Sequence, residues 1–468
     1  MKVLLSHGYF LHEDAKERRL MRPYPPLGLL YIAGHLREAG HEVEVYDSTF
    51  GTMDGLFDRL LRARPRCLGL YVNLMTRANI VRIMRRVRQD PTLRELPIVL
   101  GGPETRAHAE RFLAHGATAC VVGEGERTMA ELVEAFEAGR TELSGIAGVV
   151  WRDAHGALHH TPEREKLKDL AGLSLPARDL IDMQAYLDAW RGRHGYSTIN
   201  VSTMRGCPYT CRWCSRGVYG LSYRRRPVEQ VIDELADIQQ RFAPDRIWFV
   251  DDVFTVNHRW LKDFTEEIER RGLRIAYECI TRADRMNDEA IDLLKRSGCV
   301  QVWVGAESGS QAVIDAMDRR VDVQRVRDMI RSARKAGIAT GTFIMLGYPG
   351  EQEEDILRTV EHLKESAPDV FTITVAYPIA GTELHAQVEA DLERPLPWEL
   401  GSDREHDFPR AYRRPYYGHA VRFVVNEVEW HKAHQAGLRT SPRALRHKLR
   451  AWSGRAGMVF WRSLSTRA

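Results

Sequence analysis

Two blocks of the chain alternate short β-branched runs with helical patterns, and this alternation restricts the fold to parallel α/β architectures. In residues 1–140 the strand-like runs are "KVLLS", "VEVYD", "CLGLYV", "PIVLGGP" and "ACVVGEG". They predict a doubly wound parallel sheet, in which ligands bind at the carboxyl ends of the strands. Gly101-Gly102 and Gly123-Glu124-Gly125 fall at two such ends. We expect these residues to let a ligand approach the backbone, the alternative being ordinary tight turns.

The second block, residues 199–385, contains six strand-like runs: "TINVSTMRG", "RIWFVDD", "RIAYECIT", "VQVWVGAES", "TGTFIMLGYP" and "VFTITVAYP". Helical patterns follow five of them, over residues 227–242, 258–272, 287–297, 322–336 and 351–366. Six βα units predict a partial or complete parallel barrel, the partial one being preferred, with its active site where the strands end. Polar residues lie at those ends, namely Asp251, Asp252, Arg282, Glu307 and Ser308.

The remaining segments frame these two blocks. Residues 141–198 are interpreted as a linker containing a hairpin, and residues 386–468 as a mixed, more helical C-terminal extension. The formal charge of +4 gives no polyelectrolyte signal, and the basic run "RTSPRALRHKLRAWSGRAG" is interpreted as a solvated helix face. The chain has no signal peptide pattern and no apolar run of about 18 residues. We therefore expect a cytoplasmic protein with no nucleic-acid partner and no membrane partner.

Three of the seven cysteines, Cys207, Cys211 and Cys214, lie within eight positions in "RGCPYTCRWCSRGVYG". A structural zinc site needs four ligands, and a redox Cys-x-x-Cys motif leaves Cys207 unexplained. Three thiolates suit a 4Fe-4S cluster in which one iron has no protein ligand and binds a small chelating molecule. The other cysteines (Cys67, Cys120, Cys279 and Cys299) are expected to be buried apolar residues.

The Cys-x-x-x-Cys-x-x-Cys pattern after the first barrel strand, with Trp213 before its last cysteine, resembles the radical S-adenosylmethionine (SAM) superfamily. "FVDDVFT", "GAESGS" and "FIMLGYPGE" resemble its strand-end segments in order. The resemblance implies that the open iron chelates the methionyl group of SAM. An electron from the cluster then cleaves the sulfonium, and the 5′-deoxyadenosyl radical abstracts a hydrogen from the substrate.

The same resemblance implies roles for the strand-end residues in binding SAM. Asp252 or Asp251 accepts from the ammonium group, and Arg282 pairs with the carboxylate. Glu307 and Ser308 contact the ribose. Trp213 lies beside the cofactors. Gly347 and Pro349 shape the adenine pocket. For each residue the alternative is a supporting role in the barrel.

The N-terminal block resembles the cobalamin-binding domain that precedes the barrel in one large subfamily. "PYPPLGLLYIAGHLREAGHEVEVYD", "VLGGPE" and "VVGEGE" carry this resemblance. The Asp-x-His-x-x-Gly motif for cobalt-ligating histidines is absent, as is usual in this subfamily. Tyr71 and Met75 are bulkier than the small residue commonly found near the cobalamin face. Two interpretations remain. Either the domain is a retained scaffold that binds no cobalamin, or the bulky residue lies on the upper face of the corrin and tolerates it.

These two interpretations lead to two reactions. Without cobalamin, the chain resembles the radical SAM diol dehydratases of aminoglycoside biosynthesis, and dehydration of an amino sugar is the preferred prediction. An acid/base pair is then needed near the substrate carbon, and Tyr219 is a candidate proton or hydrogen relay, with packing as the alternative. Asp251 is a candidate as a carboxylate at the barrel mouth that suits a polycationic amino sugar. With cobalamin, the chain is a C-methyltransferase, or a ring-forming cyclase, acting on a natural product. A non-enzymatic cobalamin sensor or iron-sulfur scaffold explains less of the pattern.

For either reaction we expect the same kinds of partner. The substrate is a small molecule, an amino sugar or another natural product. An electron donor such as flavodoxin or ferredoxin reduces the cluster, and a downstream reductase is a further expected partner. The expected cofactors are the 4Fe-4S cluster and SAM, with cobalamin depending on the N-terminal domain.

Overall fold

A computed structural model describes residues 1–465 and divides the chain into two compact units. The first unit comprises Met1–Pro208, Ser215–Trp248 and Pro395–Glu405. The second comprises Tyr209–Cys214, Phe249–Arg394 and His406 onward. Each unit is therefore assembled from segments that are far apart in the sequence.

The first unit contains a seven-stranded sheet in the order β2-β1-β3-β4-β5-β6-β7. The first five strands pair in parallel, and β6 and β7 add an antiparallel hairpin at one edge. The strands are β1 Lys2–His7, β2 Glu42–Tyr46, β3 Cys67–Tyr71, β4 Ile98–Gly101, β5 Ala119–Val121, β6 Val149–Arg152 and β7 Leu158–His160.

Helices cover both faces of this sheet because its strands are apolar on both sides. In β1, Leu4 belongs to one buried cluster, whereas Val3 and Leu5 belong to another. The predicted doubly wound sheet is thereby confirmed. The helices of this part of the chain are α1 Ala15–Leu20, α2 Leu27–Glu38, α3 Met53–Ala63, α4 Arg77–Gln89, α5 Thr105–Ala114, α6 Glu126–Glu137 and α7 Met183–His194.

The segment Pro395–Glu405, here called the return segment, packs on this sheet's helices from a distant part of the sequence. Arg77 is almost fully buried and donates to Asp403 at 3.0 Å and to Glu104 at 3.1 Å. The Trp398 ring packs against Phe112, with ring centroids 4.9 Å apart. The return segment therefore supplies both an apolar contact and a buried counter-ion to the N-terminal fold.

A second sheet has six strands in the order β15-β14-β13-β12-β11-β8, and β9 and β10 form a separate antiparallel pair. All six barrel strands predicted from the sequence are present, and the predicted partial barrel is confirmed. The strands are β8 Thr198–Val201, β9 Met204–Arg205, β10 Arg224–Arg225, β11 Arg246–Phe249, β12 Tyr277–Thr281, β13 Cys299–Glu307, β14 Ala339–Leu346 and β15 Val370–Val375.

Amphipathic helices connect the strands of the second sheet, and several begin at a polar residue that caps free backbone N–H groups. Asn257, Asn287 and Asp322 each accept from a backbone N–H in the first turn of the helix that follows. The helices are α8 Val228–Phe242, α9 His258–Arg271, α10 Asp288–Arg296, α11 Gln311–Ala316, α12 Val323–Lys335, α13 Glu353–Ser366, α14 Glu383–Val388, α15 Arg414–Gln435 and α16 Pro442–Ser465.

The C-terminal extension ends in the long helices α15 and α16, which pack on each other. Their close approach depends on small residues, since a Cβ at Gly454 would lie 2.7 Å from the backbone nitrogen of Phe423. Within residues 1–465, no helix combines the length and apolar composition needed to cross a bilayer.

Candidate active site

The three clustered cysteines lie in an irregular segment between β9 and β10. Cys211 is buried, whereas Cys207 and Cys214 are half-buried. The N–H of Cys214 donates to the carbonyl of Cys211 at 3.2 Å, so the last two cysteines close one tight turn. Cys67, Cys120, Cys279 and Cys299 are all buried, which confirms the prediction made for them.

Two arginines donate to the sulfur of Cys211. The Nη1 atoms of Arg282 and Arg319 lie 3.8 Å and 3.6 Å from its Sγ. Both arginines are buried. Guanidinium groups beside a sulfur stabilise negative charge around it. This environment suits a cysteine that binds an anionic iron-sulfur cluster.

The donor chemistry fits a cluster better than a single ion. Among residues 1–465, no group of three or more His, Cys, Asp or Glu side chains could hold one metal ion. In a 4Fe-4S cluster each cysteine binds a different iron, so the sulfurs need not converge on one point. The three cysteines with the guanidinium groups at Cys211 therefore fit the predicted cluster.

Glu307 ends β13 in an unusual backbone conformation. Its φ of +64° lies in the left-handed region, and the pairing of β13 with β14 shifts between Gly305 and Glu307. Such a bulge redirects a side chain and commonly marks a functional site. Burial raises the pKa of Glu307, against the lowering effect of Arg319, whose Nη2 lies 3.6 Å away. The strand end thus presents a buried carboxyl near the arginines that contact Cys211.

Protein groups already engage the guanidinium of Arg282. Its Nε donates to Asp284 at 2.9 Å and its Nη2 to the carbonyl of Arg319 at 2.7 Å, in addition to the contact with Cys211. In this structure Arg282 braces the cysteine segment. Pairing with the SAM carboxylate stays a prediction.

Asp251 and Asp252 follow β11 but have different surroundings. Asp251 is buried, whereas the side chain of Asp252 is exposed. Partial desolvation raises the pKa of Asp252, and the neighbouring Asp251 carboxylate raises it further. Asp252 is thus the more accessible of the two candidates for the SAM ammonium group.

Ser308 lies in the expected strand-end region but is already hydrogen-bonded within the fold. Its hydroxyl lies 3.2 Å from that of Thr359 and accepts from the N–H of Ser310 at 3.1 Å. These bonds fix the loop between β13 and α11. Ribose contact by Ser308 therefore stays a prediction, whereas its role in shaping the loop is visible.

Gly347 lies in a tight turn after β14, with a φ of +79°. Its N–H donates to Glu351 at 2.5 Å and its carbonyl accepts from Arg410 at 3.0 Å. A Cβ at Gly347 would lie about 3.1 Å from the Tyr417 ring. The turn thus needs glycine, and any ligand must approach it from its other side.

Trp213 packs against the apolar cluster that contains Met345 and Tyr348, which lie just before and just after Leu346 and Gly347 at the end of β14. Its indole nitrogen has no hydrogen-bond partner among the described residues. The structure therefore brings the cysteine turn and the predicted adenine-pocket loop onto one cluster.

The glycines at the edge of the N-terminal sheet fall into two kinds. A Cβ at Gly101 would meet no atom within 4 Å, whereas Gly123 has a φ of +93° and a Cβ there would lie 3.8 Å from a carboxylate oxygen of Glu163. Gly102 has a φ of +120°, and a Cβ there would collide with the carbonyl of Val72. Gly125 precedes α6 and faces Ile32. Gly101 therefore leaves the backbone open to a ligand, whereas the positive φ angles of Gly102 and Gly123 show that their turns favour glycine.

Tyr71 and Met75 occupy this edge in different ways. The Tyr71 ring is half-buried beside Gly102, and burial raises its pKa to about 12. The Met75 side chain is 42% exposed. Tyr71 is thus part of the sheet's packed edge, whereas Met75 is exposed but its sulfur accepts from Arg404 of the return segment at 2.7 Å. The open backbone at Gly101 leaves this edge compatible with a corrin.

Glu124 is engaged in a buried ionic network rather than left open for a ligand. Arg205 and Arg224 both pair with its carboxylate, and Arg205 also pairs with Glu126. Burial by itself raises the pKa of Glu126, but the opposing effect of the Arg205 guanidinium prevails, and the pKa of this carboxyl is lowered. The Arg205 guanidinium also lies over the Tyr219 ring. Burial raises the pKa of Tyr219.

Sequence reasoning missed Arg205, Glu126, Arg319 and Glu351. Glu126 and Glu351 lie inside stretches that were singled out, "VVGEGE" and "FIMLGYPGE", so proximity to the motifs was a usable signal. Arg205 precedes Cys207 by two positions. For Arg319, which lies in "MDRR", the local sequence carries no comparable signal.

Comparison with known families agrees with this geometry. Residues 201–363 match the family model described as the Radical SAM superfamily, and residues 20–133 match the B12 binding domain. The chain is therefore a radical SAM enzyme with a B12-binding domain. Such an enzyme uses a 4Fe-4S cluster and SAM, and the second domain is consistent with cobalamin.

Two curated relatives resemble most of the chain. One is an uncharacterized methyltransferase of Pyrococcus horikoshii, 29% identical, with 80% of each chain covered. Another is an anaerobic magnesium-protoporphyrin IX monomethyl ester cyclase of Rubrivivax gelatinosus, 23% identical over 84% of this chain and 71% of the relative.

A solved structure shares the fold over nearly the whole chain. It is the radical SAM methyltransferase TsrM from Kitasatospora setae with cobalamin and a 4Fe-4S cluster bound, with a TM-score of 0.72 and 19% identity. The match covers 92% of this chain and 88% of TsrM. At this identity the likeness shows the fold alone.

Proposed function

We propose that the chain is a cobalamin-dependent radical SAM C-methyltransferase acting on a small-molecule natural product. The observation that carries this proposal is the similarity of both domains together, over 80% of the chain, to the Pyrococcus methyltransferase. The fold likeness to TsrM, solved with cobalamin and a cluster, supports it further.

The cofactors have defined places in this proposal. Cys207, Cys211 and Cys214 would hold the cluster, and the open backbone at Gly101 would leave room for cobalamin. When bound, the cluster supplies the electron that cleaves SAM, and cobalamin carries the methyl group. Arg282 and Arg319 would stabilise the negative charge at Cys211, and Glu307 at the β13 bulge would contact SAM.

The sequence-based preference for diol dehydration finds no support among these relatives. That preference depended on Tyr71 and Met75 filling the space of the corrin. Tyr71 packs beside Gly102, and Met75 is partly exposed with its sulfur accepting from Arg404, so the side-chain bulk on which that preference depended is taken up by contacts within the protein. Methyl transfer is therefore supported better than amino-sugar dehydration.

The first experiment measures corrin retention by anaerobically reconstituted protein offered hydroxocobalamin. We expect stoichiometric retention after gel filtration, alongside the iron-sulfur absorption band. Protein that retains the cluster but no corrin would contradict methyl transfer.

The second experiment follows the two products of SAM. Methyl donation leaves S-adenosylhomocysteine, whereas reductive cleavage leaves 5′-deoxyadenosine, so a methyltransferase forms both. Cys211→Ala is expected to abolish 5′-deoxyadenosine formation, and Cys67→Ala, at a buried cysteine outside the motif, serves as the control. Formation of 5′-deoxyadenosine alone in cobalamin-loaded protein would contradict the proposal.

Ring-forming oxidation is a second candidate, favoured by the similarity to the Rubrivivax cyclase over 84% of this chain. A cyclase transfers no methyl group. SAM with a deuterated methyl group therefore distinguishes the two, since only a methyltransferase places the label in its product.

A further inference from the structure

The outer face of α16 carries an exposed apolar stripe. Leu445, Leu449, Trp452 and Phe460 are 52%, 61%, 61% and 58% exposed, and Val459 lies between the last two. Spacings of four, three, seven and one place these side chains on one side of a helix. At 1.5 Å per residue, the stripe from Leu445 to Phe460 is about 22 Å long.

This stripe does not belong to the face of α16 that packs in the core. The opposite face of α16 already packs on α15 through the buried residues Ala444, Ala451 and Met458. Gly454 and Gly457 bring the two helices close together, since a Cβ at either position would crowd α15. The helix is therefore held firmly while its apolar side faces outward.

The charge of α16 indicates what covers the stripe. Residues 442–465 contain six Arg or Lys and no Asp or Glu. Lys448 pairs with Glu427, and Arg455 and Arg462 pair with Glu353. In the described part of the chain, the exposed arginines Arg443, Arg446 and Arg450 form no ion pair. Helical geometry places Arg446 and Arg450 along one flank of the stripe.

We infer that α16 docks the enzyme on an anionic lipid surface, with the stripe in the interfacial layer and the arginines among the headgroups. An amphipathic helix with Trp, Phe and Leu on one side and cations beside them has the pattern of an interfacial helix. The Lys448 ammonium lies 3.8 Å from the Trp430 ring centroid and 6.0 Å from that of Trp452, which keeps its charge at the border of the stripe.

A second copy of the chain fits the same surface less well. A twofold contact uses the same patch on both partners, so it brings the basic flank of each helix toward the other. Anionic headgroups instead attract and neutralise the arginines. The inference departs from the sequence-based expectation of no membrane partner, and it is independent of the proposed methyl transfer.

The test is cosedimentation of the full chain with vesicles of phosphatidylcholine, with or without phosphatidylglycerol. We expect binding that requires phosphatidylglycerol and weakens with salt. The double substitution Leu449→Glu/Phe460→Glu is expected to lower the partition coefficient about tenfold or more. Replacing Arg443, Arg446 and Arg450 by Gln is expected to remove the preference for anionic vesicles.

The matched control is Leu61→Glu, an exposed apolar position on α3 that is expected to leave binding unchanged. Circular dichroism and thermal unfolding are expected to show every variant folded, because all the substituted side chains face solvent. Failure of the parent protein to bind anionic vesicles, or equal binding by Leu449→Glu/Phe460→Glu, would overturn the inference. So would a lipid-free dimer that this double substitution dissociates.

Discussion

The guanidinium carbon of Arg205 lies 5.2 Å from the centroid of the Tyr219 ring. Arg205 belongs to β9, two positions before Cys207, and the same side chain pairs with Glu124 and Glu126. One buried cation therefore connects the start of the cysteine motif with the acidic loop before α6. This contact supports a packing role for Tyr219, and a role in proton or hydrogen relay stays a prediction.

We expect Arg205→Met to destabilise the protein by about 3–5 kcal/mol, because it leaves buried carboxylates without their counter-ion. Denaturant unfolding measures this loss. Arg82→Met, which breaks the exposed pair of Arg82 with Glu13, is the control and is expected to cost less than about 1 kcal/mol. Equal effects of the two substitutions would show that the Arg205 network is not structurally important.

Glu351 predicts a dependence of stability on pH. Burial raises the pKa of this carboxyl to about 8, from 4.5. Below about pH 4.5 this carboxyl is protonated in both the folded and unfolded states, so it does not make the free energy of unfolding depend on pH. Between about pH 5 and about pH 8 only the unfolded state releases its proton, so stability falls as pH rises.

Glu351→Gln is therefore expected to raise the free energy of unfolding near pH 8 by on the order of 3 kcal/mol, and to change it little near pH 5. The amide oxygen of Gln can still accept from Gly347. Glu354→Gln, at an exposed position on α13, is the control. A gain that is the same at both pH values would show that Glu351 is not protonated in the folded protein.

Arg319 predicts an effect on the cluster that can be measured without substrate. Arg319→Met removes one of the two cations beside Cys211, and we expect roughly tenfold weaker retention of iron and a more negative reduction potential. Iron analysis and a redox titration followed by electron paramagnetic resonance measure these changes. The adjacent Arg320 is exposed and pairs with Asp318, so Arg320→Met is a close control. Identical potentials in the two variants would contradict this role of Arg319.

Gly101 and Gly102 predict opposite results at adjacent positions. Gly102→Ala is expected to cost about 1–3 kcal/mol, because its positive φ and the Val72 carbonyl disfavour a side chain. Gly101→Leu is expected to leave stability nearly unchanged but to reduce retention of hydroxocobalamin. Unfolding curves and corrin absorbance after gel filtration separate the two effects. Full corrin retention by Gly101→Leu would exclude this edge as the cobalamin face.

Local periodicity was sufficient to predict the regular elements. The pattern over residues 322–336, for example, predicted the helix observed as Val323–Lys335. It did not predict α11 or the β9–β10 pair, because these elements are short and depend on distant partners. The strand ends were located correctly by the same alternation, since parallel strands end where apolar runs give way to polar residues.

The buried arginines were not predictable from local sequence. Arg77 begins α4, whose sequence "RANIVRIMRRVRQ" contains several arginines of which most are exposed. Arg77 differs only because Glu104 and Asp403 reach it in the folded chain. Arg205 and Arg319 are likewise distinguished by tertiary partners rather than by spacing. Such residues are identified by contacts that no single-sequence pattern contains.

The return segment has a consequence for how the enzyme is made. Arg77 and its counter-ion Asp403 are 326 residues apart. At about 5–20 residues per second, roughly 16 to 65 s of synthesis separate them. During that interval the nascent N-terminal sheet holds a cation that it cannot bury completely. Its final consolidation is therefore expected only after Asp403 has been synthesised, and a continuous stretch of gene that encodes the N-terminal sheet alone would lack this buried counter-ion.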